Sequence, residues 1–397
     1  MGIRTVVKKN FRYGMAAAVA GAVVAASMSG PASAQVVDGP GSRALQRDVD
    51  AVRATGASGV LASVTTSKGH SGASSGVADL RSRRPVPQDA YYRIGSTTKA
   101  FVATVVLQLA GEGRLTLDDT VERWLPGLVK GNGNDGAKIS VRQVLQHTGG
   151  IPEYSDGVPL EKVTTPEGFH RERFRTHRAE ELLAMAMRHK PVFEPGRGWA
   201  YSNTNYVLAG MIIEKVTGNP WPQEVHQRIV EPLGLRHTLI PGTSAYLPEP
   251  RLSAYKRLSP GGPLTEVSLY AAGHADDSMI STTGDVGRFL RALLGGRLLR
   301  PAELKQMRQT VPATPFRKVW RDAGYGLGLM KRRLPCGGWV WFHGGGIWNS
   351  LSDNAVTSDG RASAAVAIGS LLGPGESPER QYKSSAALID HALCSGS

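Results

Sequence analysis

The sequence contains little cysteine and no long apolar segment beyond its first residues. Cys336 and Cys394 are the only cysteines among 397 residues, which excludes a small scaffold held by several disulfides. No stretch after the N-terminal region reaches the roughly 18 apolar residues of a transmembrane helix, so we expect no membrane span in the mature protein. No His, Cys or Glu residues have the spacing of a metal site, so we predict no metal.

The first 34 residues have the three parts of a signal peptide. Four basic residues precede an apolar Ala/Val-rich run from 15 to 28, and Ala32-Ser33-Ala34 fits the small-x-small cleavage rule. We predict a secreted, extracellular protein with no anchor after cleavage; an uncleaved anchor is the alternative. In an oxidising compartment the two cysteines favour a disulfide, with two free thiols as the alternative.

Acidic residues are fewer than basic ones, 33 against 47. The formal charge of +14 becomes 14 − 4 = +10 once the four cations of the signal are removed. Such a charge favours weak association with anionic cell-wall polymers. Because the cations are scattered along the chain, we expect no nucleic-acid partner.

Strand patterns lie at both ends of the mature chain and helical patterns lie between them. This order predicts an α+β fold in which residues 35–114 and 275–397 form one sheet lobe and residues 115–274 form a mostly helical lobe. We expect a monomer.

Ser96-Thr97-Thr98-Lys99 is the first motif that carries chemistry. A serine at the start of a helix lies near the positive end of the helix dipole, which favours a developing alkoxide. Lys99 follows one turn later on the same face, where a partly desolvated amine can accept the serine proton. The S-x-x-K spacing alone is weak evidence, because chance matches are common.

Two further motifs follow in the order expected of one active site. Tyr201-Ser202-Asn203 offers a phenol that can relay a proton and an amide that can hold a substrate amide. His343-Gly344-Gly345-Gly346 combines a hydrogen-bonding or cationic side chain with glycines that allow close backbone approach. Each also has a simpler interpretation: a helix N-cap for the first and a glycine-rich hairpin turn for the second.

With S-x-x-K, Y-x-N and H-x-G in this order, the chain resembles the serine β-lactamase and penicillin-binding protein family, in particular the Streptomyces-type D-alanyl-D-alanine carboxypeptidases. Five matching segments, the first starting at Tyr91 and the last ending at Gly346, span most of the mature chain. The resemblance implies an antiparallel sheet flanked by helices, an all-helical lobe, a cleft between them, and no cofactor. It also supports a Cys336–Cys394 disulfide.

The resemblance also implies residue roles. Ser96 would be the nucleophile, Lys99 and Tyr201 would share acid–base work, and His343 would replace the usual strand cation. Asn203 and the glycine run Gly344, Gly345 and Gly346 would bind substrate, with the backbone N–H groups of Ser96 and Gly346 as the oxyanion hole. Expected partners are a small peptide, such as a peptidoglycan stem peptide, and β-lactams as acylating ligands.

The third motif departs from the family pattern in a way that bears on substrate. The carboxypeptidases have H-T-G-T and an arginine that clamps the substrate carboxylate, whereas this chain has glycines and, at the arginine position, Met330. Arg332, two residues on, would point the same way in a strand and is a candidate substitute. A carboxypeptidase-like enzyme is therefore expected first, with a D-aminopeptidase, amidase or esterase as the alternative, including one that processes an exported peptide.

Other interpretations carry less weight. Gly72-Ala73-Ser74-Ser75-Gly76 matches G-x-S-x-G but lacks a following helix, so we interpret it as a hairpin turn rather than a nucleophile elbow. His147 and His274 are interpreted as loop or packing residues. A non-catalytic penicillin sensor is the remaining rival, and the intact Ser96 and Lys99 argue against it.

Overall fold

The computed structural model describes residues 40–157, 160–318, 320, 322–373 and 377–395. The predicted signal, residues 1–34, lies outside the described residues. The α-helices are α1 Pro40–Arg53, α2 Thr98–Gly111, α3 Val121–Trp124, α4 Val141–Gln146, α5 Pro166–Glu172, α6 Ala179–Ala186, α7 Thr204–Thr217, α8 Trp221–Val225, α9 Glu231–Leu233, α10 Thr283–Leu294, α11 Pro301–Met307 and α12 Glu379–Cys394.

The strands are β1 Ala57–Thr66, β2 Gly69–Gly76, β3 Tyr92–Arg93, β4 Lys130–Gly131, β5 Asn134–Asp135, β6 Tyr255–Arg257, β7 Leu264–Glu266, β8 Ile280–Ser281, β9 Val311–Pro312, β10 Gly324–Tyr325, β11 Met330–Arg333, β12 Trp339–Phe342, β13 Gly345–Ile347, β14 Ser350–Thr357 and β15 Ser363–Ser370. The main antiparallel sheet has the order β2-β1-β15-β14-β12-β11-β10-β9, with β13 also paired to β14. Because β1 pairs with β15, strands from the two ends of the chain form one sheet.

Helices cover both faces of this sheet, which is why successive residues along the central strands β14 and β15 are buried. On one face α1 and α12 pack through residues such as Val49, Val52 and Ile389. On the other face α2 and α10 pack against each other through Phe101 and Phe289, whose rings stack at 3.6 Å. The predicted α+β fold, an antiparallel sheet with flanking helices, is confirmed; the division into two lobes stays a prediction.

The structure corrects one local interpretation. Residues 72–76, predicted as a hairpin turn, lie in β2, and the turn falls earlier, between β1 and β2. The G-x-S-x-G match remains a decoy, because Ser74 donates its hydroxyl hydrogen to the Val86 carbonyl and lies on a strand rather than at a strand–helix turn.

A disulfide joins Cys336, between β11 and β12, to Cys394 at the end of α12. The bond ties the C-terminal helix to the sheet, as the sequence predicts. Within the described part of the chain, no helix is both long and apolar enough to cross a membrane.

Candidate active site

Ser96 and Lys99 occupy consecutive turns at the start of α2. Ser96 lies in a 3₁₀ turn, Gly95–Thr97, that leads directly into the helix. Lys99 is fully buried, and its Nζ donates to Ser96 Oγ at 3.0 Å. The S-x-x-K spacing therefore puts an amine in hydrogen-bond contact with the nucleophile, the geometry that a base-activated serine needs.

The Lys99 ammonium makes two further hydrogen bonds that fix its position. Nζ donates to Asn203 Oδ1 at 2.7 Å and to the Asp276 carbonyl at 2.8 Å. The Tyr201 ring centroid lies 5.0 Å from the same nitrogen. Asn203 immediately precedes α7, but its side chain does not cap the helix, because the amide oxygen accepts from Lys99. The simpler N-cap interpretation of Y-x-N is therefore wrong for this residue.

The glycine run lies against the segment that carries Ser96. A Cβ on Gly345 would lie 2.0 Å from the Ile94 carbonyl oxygen and 2.9 Å from the Ser96 nitrogen, and one on Gly95 would lie 2.8 Å from the Gly346 nitrogen. Any larger residue at Gly345 would clash with backbone atoms. The H-G-G-G sequence thus lets β13 reach the nucleophile, and the simple hairpin-turn interpretation is insufficient.

A chain of hydrogen bonds links His343 to His147 through Tyr325. The Tyr325 hydroxyl lies 3.1 Å from His147 Nε2 and 3.3 Å from His343 Nε2. His147 Nδ1 accepts from the Ser202 N–H at 3.3 Å and from the Asn205 amide at 3.2 Å.

These contacts determine the tautomers. Since His147 Nδ1 accepts two hydrogen bonds, its one proton sits on Nε2, which donates to the Tyr325 oxygen. The Tyr325 hydroxyl then donates to His343 Nε2, and the His343 proton sits on Nδ1, 2.5 Å from the Gly344 carbonyl oxygen. Burial, with a further contribution from Lys99, lowers the pKa of His147 well below its usual value and the pKa of His343 to about 3.

His343 is therefore a neutral, hydrogen-bonded imidazole at pH 7, so of the two roles predicted for it the cationic one is corrected. Only 2% of its surface is exposed, and Lys99 already provides positive charge nearby. Protonating His343 would place a second, desolvated cation beside the first.

An open cavity of about 580 Å³ borders Ser96, Tyr201 and His343. Its apolar wall consists of Phe316, Trp320, Met330, Phe342 and Tyr382. The carboxylates of Asp353 and Glu379 also line it. Lys383, the one cation among the described lining residues, pairs with Glu379 at 2.6 Å.

Arg332 is not available to bind substrate, so the prediction that it substitutes for the carboxylate-binding arginine is wrong. Its guanidinium, in a side chain on β11 that is 2% exposed, bonds Asp390 Oδ1 of α12 at 2.5 Å. Removing that partner would leave a buried charge uncompensated, so the pair is held in place. Arg332 ties α12 to the sheet, and Met330 occupies the cavity wall.

The β-lactamase family model matches residues 43–368. The chain belongs to the β-lactamase family. A D-stereospecific amidohydrolase from a Streptomyces species is 44% identical, with a TM-score of 0.78 over 86% of this chain and 98% of that one. The D-amino acid amidase of Ochrobactrum anthropi SV3 is 28% identical, with a TM-score of 0.75 over 89% and 97% of the two chains.

Penicillin-binding protein 4* of Bacillus subtilis (strain 168) is 26% identical over 70% of this chain. The match spans 60% of that protein's own length, so the chain covers less than two thirds of this relative.

Several residues of this β-lactamase-family site have no catalytic motif of their own in the sequence. His147 is the C-cap residue of α4 and packs among buried aromatic rings, as expected of a loop or packing residue, but its hydrogen bond to Tyr325 was not predicted. Tyr325 and Asp276 lie in none of the three catalytic motifs. Both His147 and Tyr325 lie within segments that match the family, and that was the available signal. Nothing local indicates that residues 178 positions apart in the chain share a hydrogen bond.

Replacing Tyr325 with Phe should destabilise the protein by at least about 2 kcal/mol. The substitution leaves a buried N–H on His147 and a buried acceptor on His343 unpaired, at about 1–3 kcal/mol each. Urea unfolding measures the loss. Tyr92→Phe is the matched control, because the Tyr92 hydroxyl is also buried but has only a 3.5 Å contact with Ser352. Equal losses for the two variants would contradict the chain of hydrogen bonds.

Proposed function

We propose that this protein is a serine amidohydrolase that cleaves amides or esters of D-amino acids through an acyl-enzyme on Ser96. The observation that carries the proposal is the composition of the cavity beside Ser96. With Met330 in its wall, Arg332 paired with Asp390, and Lys383 paired with Glu379, the described residues leave no free cation there for a terminal carboxylate. Charge-assisted bonds dominate carboxylate recognition, so their absence favours a neutral leaving group.

Two similar proteins support the same activity. The amidohydrolase and the amidase named above match almost over their full lengths. Penicillin-binding protein 4* matches over a smaller share of its own length and at lower identity. The carboxypeptidase expected first from the sequence is therefore the less favoured of the two activities.

Each proposed step follows from the contacts around Ser96. The Lys99 amine is the proposed acceptor of the Ser96 proton as Oγ bonds the substrate carbonyl carbon, because Nζ already contacts Oγ at 3.0 Å. The C–N or C–O bond to the leaving group then breaks, and the proton passes to that group from Lys99, with Tyr201 sharing the transfer. Water then attacks the carbonyl carbon of the acyl-enzyme and gives its proton to Lys99. The bond to Ser96 Oγ breaks, Oγ regains a proton, and the free acid leaves.

The backbone N–H groups of Ser96 and Gly346 are the proposed oxyanion hole. The two backbone segments lie so close together that a side chain on Gly95 or Gly345 would clash with the other segment. Each such donor contributes about 3 kcal/mol of transition-state stabilisation in a serine hydrolase. Asn203 has its oxygen on Lys99, so its NH₂ group is the part left to bind the substrate amide.

We also propose that the protein acts outside the cytoplasm on small peptides or peptide-like amides. The predicted signal and the Cys336–Cys394 disulfide support this location. Covalent labelling by a β-lactam is an accompanying expectation.

A substrate panel tests the proposed activity. D-phenylalanine amide and methyl ester should each have a kcat/KM at least about tenfold above that of a D-Ala-D-Ala peptide with a free carboxylate, which corresponds to about 1.4 kcal/mol. Met330→Arg should raise the kcat/KM of the free-carboxylate peptide relative to that of D-phenylalanine amide, because it places a cation in the cavity wall. Met330→Gln adds no charge and should leave this ratio unchanged. Better turnover of the free acid by the unsubstituted protein would overturn the proposal.

A further inference from the structure

A second, smaller cavity lies beside the catalytic lysine. It has a volume of about 130 Å³, and its walls include the aromatic rings of Tyr154, Tyr270 and Trp348 together with the carboxylate of Asp277. We call it the Asp277 cavity. The chain connects this cavity to the catalytic lysine, since Asp277 follows Asp276, whose carbonyl accepts from Lys99 Nζ. Trp348 comes two residues after Gly346.

Among the described residues, the Asp277 side chain has no hydrogen-bond or ion-pair partner. The neighbouring carboxylate of Asp276 accepts from the Tyr154 hydroxyl at 3.0 Å. Burial and the proximity of Asp276 raise the pKa of Asp277 to about 8. Asp277 is half-buried, and the positive charges of Lys99 and Arg93 offset this rise only in part; a cation entering the cavity would favour the ionised carboxylate and supply a direct partner.

The other charges in the wall do not take this role. Arg175 is exposed and lies 3.4 Å from the carboxylate of Glu172, so these two compensate each other. Lys162 is exposed to solvent. Of the two acidic residues that line the described cavity, Glu172 is therefore paired with Arg175, and Asp277 is the one that an entering cation could ionise and pair with.

Trp348, which lines this cavity, has an unusual backbone conformation. β13 turns into β14 through Trp348 and Asn349, with φ values of +46° and +65°. Two-residue turns with both φ values positive favour Asn-Gly, and a bulky residue at the first position is uncommon. The Trp348 ring packs against Tyr270, with centroids 5.5 Å apart.

We propose that the Asp277 cavity binds an ammonium group carried by the acyl part of the substrate. A carboxylate supplies the opposite charge, and the faces of Tyr and Trp rings attract cations. The inference rests on the proposed amidohydrolase activity and names its substrate class: amides or esters of D-amino acids with a free amine. That amine is either the α-amine or a side-chain amine, and both have the same chemistry.

Four p-nitroanilides separate the two sources: D-norleucine, D-lysine and the Nα-acetyl derivative of each. Comparing free with acetylated D-norleucine tests the α-amine, and comparing Nα-acetyl-D-lysine with Nα-acetyl-D-norleucine tests the side-chain amine. In the unsubstituted protein we expect at least a tenfold higher kcat/KM for the ammonium-bearing member of one pair. Asp277→Asn should lower that ratio at least tenfold.

Glu172→Gln is the matched control, because Glu172 lines the same cavity but is paired, and it should leave the ratio within twofold. Should Asp277→Asn fail to fold, n-butylammonium ion should inhibit turnover by the unsubstituted protein competitively, and n-butanol should not. No preference in either pair, an unchanged ratio in Asp277→Asn, or no inhibition by n-butylammonium would overturn the inference. Failure of all four anilides to acylate Ser96 would instead overturn the proposed function.

Discussion

Ser96→Ala should reduce the kcat/KM for D-phenylalanine p-nitroanilide by a factor of order 10⁴ to 10⁶, the size of the loss when a serine hydrolase loses its nucleophile. The reason is covalent: without Oγ no acyl-enzyme forms, and Lys99 Nζ loses the hydroxyl that it contacts at 3.0 Å. The measurement is steady-state hydrolysis of the anilide, with circular dichroism to confirm folding.

Ser74→Ala is the matched control for the nucleophile. Ser74 is the serine of the G-x-S-x-G decoy, and its hydroxyl bonds a backbone carbonyl within the sheet. This variant should retain activity within about threefold, an effect below 1 kcal/mol. Residual turnover above about one hundredth in Ser96→Ala, or a large loss in Ser74→Ala, would disprove the assignment of Ser96.

Lys99→Met should have the second largest effect, a loss of about 10² to 10⁴ in kcat/KM, the usual contribution of a positioned general base. Methionine nearly fills the space of the lysine but cannot accept the Ser96 proton. It also leaves the Asn203 amide oxygen and the Asp276 carbonyl without their buried donor. We therefore also expect a loss of stability of about 1–3 kcal/mol for each of these acceptors.

Lys331→Met is the control for removing a lysine without touching the catalytic groups. Lys331 lies on β11, and its ammonium lies over the Trp339 ring, 4.6 Å from the centroid. Activity and urea unfolding should both stay close to those of the unsubstituted protein. If Lys99→Met kept more than a tenth of the activity, the base would have to be another group.

The catalytic motifs could be predicted because their chemistry is local. Ser96 and Lys99 are three residues apart on one helix, so their spacing alone brings them into contact. The glycines of β13 were predictable as points of close approach, although the chain that approaches them proved to be the Ser96 segment itself. The strands β12, β14 and β15 were predictable as short segments separated by the turn sequences at 344–346 and 358–360.

Properties that depend on distant partners could not be predicted. Alternation along a strand gave the face of Arg332, but not that Asp390, 58 residues later, holds its guanidinium. The neutral state of His343 depends on burial and on Lys99, which no local pattern reveals. Strand β11, with the sequence Met-Lys-Arg-Arg, has no β-propensity signal and forms because it pairs with β12.

The convergence of three distant segments on one substrate carbonyl is tested most directly by locating the acyl group. The protein is mixed with a p-nitrophenyl ester of a D-amino acid, quenched in acid within the first turnover, digested, and mapped by mass spectrometry. One acyl group on Ser96, together with its disappearance in Ser96→Ala, is the predicted result. An adduct on another residue, or turnover with no covalent adduct at any quench time, would contradict the account.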